Sequence, residues 1–327
     1  MTTRFPRKDI LNGLVCASLI LAGCASPGKS ALPTTVPPNA TQAIVRAPSP
    51  VPSSTMTLPP TGSPSPRPEL TQTPVPSPTL APTGIFPVDG VDVQTGQHAY
   101  RAVVRYTDKT FGSPFTQTVN YLLYLPESYN KDPAKKWPLM LYLHGSGSRG
   151  SDLSLVRSGG LPKPLEKVTD FPFIVVSPQC PAESSMWSSH IDALNVLLDL
   201  IQARYSVDPQ RLTVTGFSMG GFGAWEFALR YLKRFAAIAP VAGGYIIQST
   251  AVPDNLCDLK DLPVWVFHGG QDGSVAIEQA TSLVDALKAC HGNVRFTYYA
   301  DANHMQTALR AYADPELYNW LAAQKRP

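Results

Sequence analysis

Residues 214–225 read VTGFSMGGFGAW, and Ser218 stands in them between Gly216 and Gly220. A serine in a G-x-S-x-G frame, set between a strand and a helix, is the pattern of a nucleophile held on a sharp turn. Glycines two places before and after it let strand and helix approach with no Cβ between them. The helix N-terminus offers its positive end to developing negative charge. The competing reading is a glycine-rich packing corner that happens to hold a serine. A serine hydroxyl becomes nucleophilic at neutral pH only beside a base, so the rest of the chain must decide.

Six histidines follow residue 84. His304, in DANHMQT, comes just after the apolar segment VRFTYY. That places it on a loop at the carboxyl end of a strand, the edge expected for Ser218, and makes it the candidate base. His98, His190 and His291 fall in turns or at helix edges, while His144 and His268 follow strands and suit other roles. The candidate acid is Asp272, in FHGGQDGSV after LPVWVF. It gives the chain order serine, acid, histidine, and its role would be to hold the imidazole in one tautomer. Asp301 is the rival, but three residues before His304 on one short loop it reads as a turn residue.

An oxyanion needs two backbone N–H groups aimed at it. Met219, directly after Ser218, is one expected donor; Ser146, in LHGSGSRGSD, is the other. That loop also contains Gly145-x-Gly147-x-x-Gly150, which as a dinucleotide fingerprint would open a helix. Gly159, Gly160, Pro162 and Pro164 interrupt the next stretch, and Asp170 precedes the next strand instead of following it. No cofactor is therefore expected, and no Cys/His spacing suggests a metal.

Short apolar runs must position these residues. AYRAVVRYT and VNYLLYLP alternate and read as early antiparallel strands, whereas PLMLYL and FIVV are continuous, as in strands buried on both faces. Ile191, Leu194, Leu197, Leu198 and Ile201 follow a helical period. The strand LTVTG, a helix from about 219 to 232, the strands in FAAIAPVAG and LPVWVFHG, a helix over 276–289, VRFTYY and a last helix over 314–323 complete the series. Strands alternating with helices imply an α/β domain, a mostly parallel sheet with helices on both faces, over 84–327.

Residues 1–83 are of another kind. Arg4, Arg7 and Lys8 precede an apolar run from Ile10 to Gly23, shorter than the roughly 20 residues of a membrane span and suited to a secretory signal over 1–23. It closes in Leu21-Ala22-Gly23-Cys24, which resembles a bacterial lipobox, so Cys24 is the expected lipidation site and membrane anchor on the extracytoplasmic side. Of the 33 prolines, 16 fall in 26–83 among serines and threonines. Such a segment cannot bury a core and reads, over 24–83, as an extended stalk. In an exported protein, cysteines can pair. Cys257 and Cys290 would both lie at the amino-terminal edge of the sheet and are the favoured disulfide, with Cys180 a buried thiol; connectivity itself cannot be deduced from sequence. The formal charge of +3 gives no footprint for nucleic acid.

YLPESYNKDPAKKWPLMLYLHGSGSRGSD, SPQCPAESSMW, YSVDPQRLTVTGFSMGGFGAWEFALRY, LKDLPVWVFHGGQD and FTYYADANH together resemble one branch of the α/β-hydrolases. It comprises bacterial esterases labelled predicted peptidases, related to feruloyl and acetylxylan esterases and dienelactone hydrolase-like proteins. The resemblance covers nearly all of 84–327. It implies a serine carboxylic-ester hydrolase with Ser218, Asp272 and His304 as triad and the HGSG loop in the oxyanion hole. The family's glycine before the histidine and its GHDSW-like continuation are replaced here by Asn303 and Met305-Gln306-Thr307. A serine peptidase of the same fold and a catalytically silent binding module are the alternatives.

Overall fold

The structure, a computed structural model, describes residues 93–110 and 112–326. The expected signal segment, Cys24, the proline-rich stretch and the boundary at residue 84 lie outside the described residues.

In chain order the elements are β1 (Gly96–Thr107), β2 (Pro114–Leu125), β3 (Trp137–Leu143), α1 (Ser154–Arg157), α2 (Pro162–Leu165), β4 (Ile174–Pro178) and α3 (Ile191–Arg204). After these come β5 (Val207–Phe217), α4 (Met219–Arg230), β6 (Ala237–Val241), β7 (Val264–Gly269), α5 (Glu278–Ala289), β8 (Val294–Tyr299), α6 (His304–Ala313) and α7 (Pro315–Ala323). The eight strands form one sheet in the order β1-β2-β4-β3-β5-β6-β7-β8. β2 is antiparallel to both β1 and β4, and every other pairing is parallel.

The continuous apolar runs are the strands buried on both faces: all residues of β3, β4, β6 and β7 are buried. Successive side chains point to opposite faces, and the core divides accordingly. Leu139, Leu141, Val214, Val264 and Val266 meet Leu194, Leu197, Phe227 and Leu283 from α3, α4 and α5 on one face. Met140, Tyr142, Ala239, Trp265 and Phe267 meet Leu165, Ala311, Tyr312 and Leu317 from α2, α6 and α7 on the other. Cys257 and Cys290 are joined by a disulfide with Cα atoms 5.6 Å apart. Cys180 is free and buried.

One element departs from the sequence expectation in a way that bears on the site. His304 was expected on a loop; it is the first residue of α6, a helix absent from the expected series. The Asn303 side chain accepts from the Gln306 N–H, and the Gln306 side chain accepts from the Asn303 N–H, a reciprocal capping box.

Candidate active site

Ser218 joins β5 to α4 with φ 56° and ψ −118°, a positive φ that residues with a Cβ normally avoid. The turn is held from both sides. The Ser218 N–H donates to Val241 O at 2.9 Å, and its carbonyl accepts from Gly221 and Phe222 N–H. Packing here allows no Cβ. One on Gly216 would lie 2.3 Å from Gly220 O, and one on Gly220 would lie 1.9 Å from Leu143 O. The two glycines thus let the end of β3, the turn and the first turn of α4 touch through main chain.

β7 and its following loop deliver Asp272, and β8 and the start of α6 deliver His304. Ser218 Oγ lies 2.8 Å from His304 Nε2, and His304 Nδ1 lies 2.7 Å from Asp272 Oδ2. The carboxylate only accepts, so Nδ1–H donates to it and Nε2 is left to accept from the serine hydroxyl. The Asp272 side chain is 0% exposed and that of His304 is 15% exposed. Asp272 Oδ1 accepts the Ser274 and Val275 N–H groups, both at 2.9 Å. Burial pushes the Asp272 carboxyl up, but the hydrogen bonds from His304, Val275 and Ser274 more than offset it and leave it below its usual range. The Phe217 ring packs against the imidazole of His304 with centroids 4.6 Å apart. Asp301 is not part of this line: it is exposed and paired with Arg310 at 2.6 and 2.8 Å.

The loop after β3 sits against the turn. β3 and β5 pair with Leu143 opposite Gly216, so Ser146 and Met219 each stand three residues beyond paired strand positions. Met219 opens α4, where the first N–H groups have no acceptor within the helix. Ser146 opens a single 3-10 turn, Ser146–Ser148, and no helix continues the glycine pattern from Gly150.

Several groups that brace this loop were not assigned a role from sequence. His144 is buried; its Nδ1–H donates to Gly145 O at 2.7 Å, and its Nε2 accepts the Cys180 N–H at 3.0 Å. Burial holds this imidazole down at about 4 and therefore neutral. Trp187 is buried and donates from Nε1 to His144 O at 3.0 Å. Arg149 donates from Nε to Ser146 O at 3.0 Å and from a terminal nitrogen to Ser184 O at 2.6 Å. None of these contacts has a local sequence signature. Helix α6 did have one: Asn303-x-x-Gln306 ahead of Ala308, Ala311 and Tyr312.

Burial raises the Cys180 thiol to about 11, which keeps it protonated and unreactive. Among the described residues, no group of three or more His, Cys, Asp or Glu side chains could hold a metal ion.

Comparison with known proteins agrees with this architecture at the level of the fold. Residues 183–324 match the Dienelactone hydrolase family. An Escherichia coli (strain K12) protein provisionally named a carboxymethylenebutenolidase is 30% identical over 105 residues, 31% of this chain and 39% of the relative. The chain thus spans well under half the length of that curated relative. Poly(3-hydroxyalkanoate) depolymerase C of Paucimonas lemoignei is 42% identical over 127 residues, 31% of each chain. Among solved structures, a thermostable esterase is 29% identical with a TM-score of 0.55, over 68% of this chain and 63% of its own. The described residues form an α/β-hydrolase fold, and within it residues 183–324 match the Dienelactone hydrolase family.

Proposed function

We propose that the protein is a serine hydrolase of carboxylic esters working through an acyl-enzyme. The observation that carries this reading is the unbroken line from Asp272 through His304 to a Ser218 held at positive φ. Ser218 Oγ attacks the ester carbonyl while His304 Nε2 takes the hydroxyl proton. The tetrahedral oxyanion is held by the N–H groups of Met219 and Ser146, and such a donor lowers the barrier by about 3–4 kcal/mol. Collapse expels the alcohol, which leaves with the proton from His304. Water then enters, gives a proton to the same nitrogen, and attacks the acyl carbon to release the acid and regenerate Ser218. Asp272 stays ionised and stabilises the imidazolium formed in each half-reaction.

The test uses the full chain and short-chain p-nitrophenyl esters. Ser218→Ala should abolish turnover and labelling by a fluorophosphonate probe; hydrolysis undiminished in that variant would sink the mechanism. Short peptide amides in the same assay separate esterase from peptidase, and absence of labelling in the parent protein would favour a silent binding module. Feruloyl or acetyl esters of plant polysaccharide fit the family resemblance. A second reading, an aliphatic polyester, is favoured by the depolymerase relative and by exposed Ile246, Ile247, Met305 and Leu309 in segments that follow β6 and β8. Release of soluble acid from a polyester film, compared with feruloyl release, separates the two. We also propose export and lipid anchoring at Cys24, which predicts loss of a palmitate label in Cys24→Ser.

A further inference from the structure

His268 occupies an unusual place for a histidine. It is the penultimate residue of β7 and is 0% exposed. Its Nε2 lies 3.0 Å from Val275 O and 3.5 Å from Asp272 Oδ2. Both oxygens only accept, so Nε2 carries the proton and the neutral ring leaves Nδ1 as an acceptor. That Nδ1 is buried and has no hydrogen-bond partner among the described residues. A buried acceptor left unpaired is a standing cost, one that a leucine in this strand would not carry. What the histidine supplies in return is a single N–H, aimed at the loop bearing Asp272.

We propose that His268 is a positioning residue that fixes the Asp272 carboxylate for His304; the proposal rests on the triad reading above. Val275 is the link. Its carbonyl accepts from His268 Nε2–H, while its own N–H donates to Asp272 Oδ1 at 2.9 Å. The peptide groups on either side of Val275 are therefore tied to the strand end and to the carboxylate at once. The same His268 N–H faces Oδ2, the oxygen that His304 Nδ1–H already holds at 2.7 Å. Oδ2 thus sees one strong donor and the positive end of a second dipole. The charged or titratable groups acting on His268 are Asp272, His304 and Glu278, and burial outweighs them to keep the ring neutral. A neutral ring orients the carboxylate without competing for it as a cation would.

The experiment compares the full-chain protein with His268→Leu, His268→Gln and Ser218→Ala on a short-chain ester over pH. Removing the N–H frees the 272–275 loop, and a small misplacement of a reacting group costs up to about 100-fold. His268→Leu should therefore lower kcat by roughly tenfold to 100-fold while KM changes by less than about twofold. The acid limb of kcat/KM should also move to higher pH, because an unshared carboxylate favours the imidazolium of His304 more strongly. His268→Gln, whose amide N–H reaches as far as Nε2, should recover most of kcat and return the limb. If the leucine variant does not fold, His268→Asn, polar but too short to reach Val275 O, makes the same comparison. Parental kcat and pH profile in His268→Leu would overturn the proposal; so would a loss of kcat with an unmoved acid limb and no recovery in His268→Gln, which is the mark of packing alone. Turnover surviving in Ser218→Ala would overturn the triad reading instead.

Discussion

Asp272→Asn keeps the shape of the acid and changes which atoms can accept. In the structure, Oδ1 takes two backbone N–H groups and Oδ2 takes His304 Nδ1–H. An asparagine has one oxygen for these three donors. With that oxygen toward Ser274 and Val275, the amide nitrogen meets His304 Nδ1, and the ring must move its proton to Nε2. It then faces Ser218 with a donor and cannot take the serine proton. The opposite amide orientation restores the working tautomer but abandons both backbone bonds. Losing the bond from the exposed Ser274 costs about 1 kcal/mol, and leaving the buried Val275 N–H unpaired costs about 1–3 kcal/mol, so the wrong tautomer is favoured by about 2–4 kcal/mol. At about 1.4 kcal/mol per tenfold, the competent fraction falls roughly 30-fold to 10³-fold. Water cannot stand in for the carboxylate oxygen at His304, since the Asp272 side chain is 0% exposed. The expected outcome is a kcat lowered by about 30-fold to 10³-fold on short-chain p-nitrophenyl esters, with the near-ultraviolet circular dichroism of the parent. A folded Asp272→Asn protein that keeps more than about a tenth of kcat would refute the reasoning.

Gly220→Ala places a methyl 1.9 Å from Leu143 O; separating β3 from α4 should cost about 1–3 kcal/mol of stability and about 100-fold in kcat, read by urea unfolding and ester turnover. Stability should also fall on mild acidification. His144 is held at about 4 against an ordinary 6.5, so above that ordinary value both states are neutral and no penalty exists; as pH drops toward 4, only the unfolded chain takes up the proton. From about pH 7.5 to about pH 4.5 the loss through His144 should be about 2–3 kcal/mol, with His190 and His268, both lowered by burial, acting in the same direction. Urea midpoints that do not move between these pH values would contradict it.

How much of the fold and site was legible in the sequence depends on the kind of contact. The strands buried on both faces could be read because a continuous apolar run has few other uses, and PLMLYL and LPVWVF became β3 and β7. The residues that meet at Ser218 could be singled out because a serine in a glycine frame, a strand-end acid and a strand-end histidine come in an order that the sheet constrains. The loop reading of His304 failed for a physical reason. The histidine has the position of a strand-end residue, while the local signal was the Asn303–Gln306 box, a short-range exchange of hydrogen bonds that starts a helix. The bracing contacts were beyond reach altogether. Arg149 to Ser184, Trp187 to His144 and His268 to Val275 join main-chain and side-chain atoms whose meeting depends on loop conformation, which no period or propensity encodes.

Three histidines stand at or just past strand ends on the carboxyl edge, and their environments assign them different work. A general base needs a ring nitrogen that faces the reacting group and can gain and lose a proton as the reaction proceeds. His144 fails on both counts: each nitrogen is committed to main chain, and burial holds it neutral. His268 is sealed in the core, with its one proton given to Val275 O. Only His304 among the three combines a carboxylate on Nδ1, the serine oxygen on Nε2 and a partly exposed ring. The two buried rings lie on the supports of the proposed machinery, one beside the loop after β3 and one behind Asp272. In the proposed mechanism both supports must hold position while a proton passes between Ser218 and His304. Burial that keeps His144 and His268 neutral therefore holds their hydrogen bonds to main chain in one pattern.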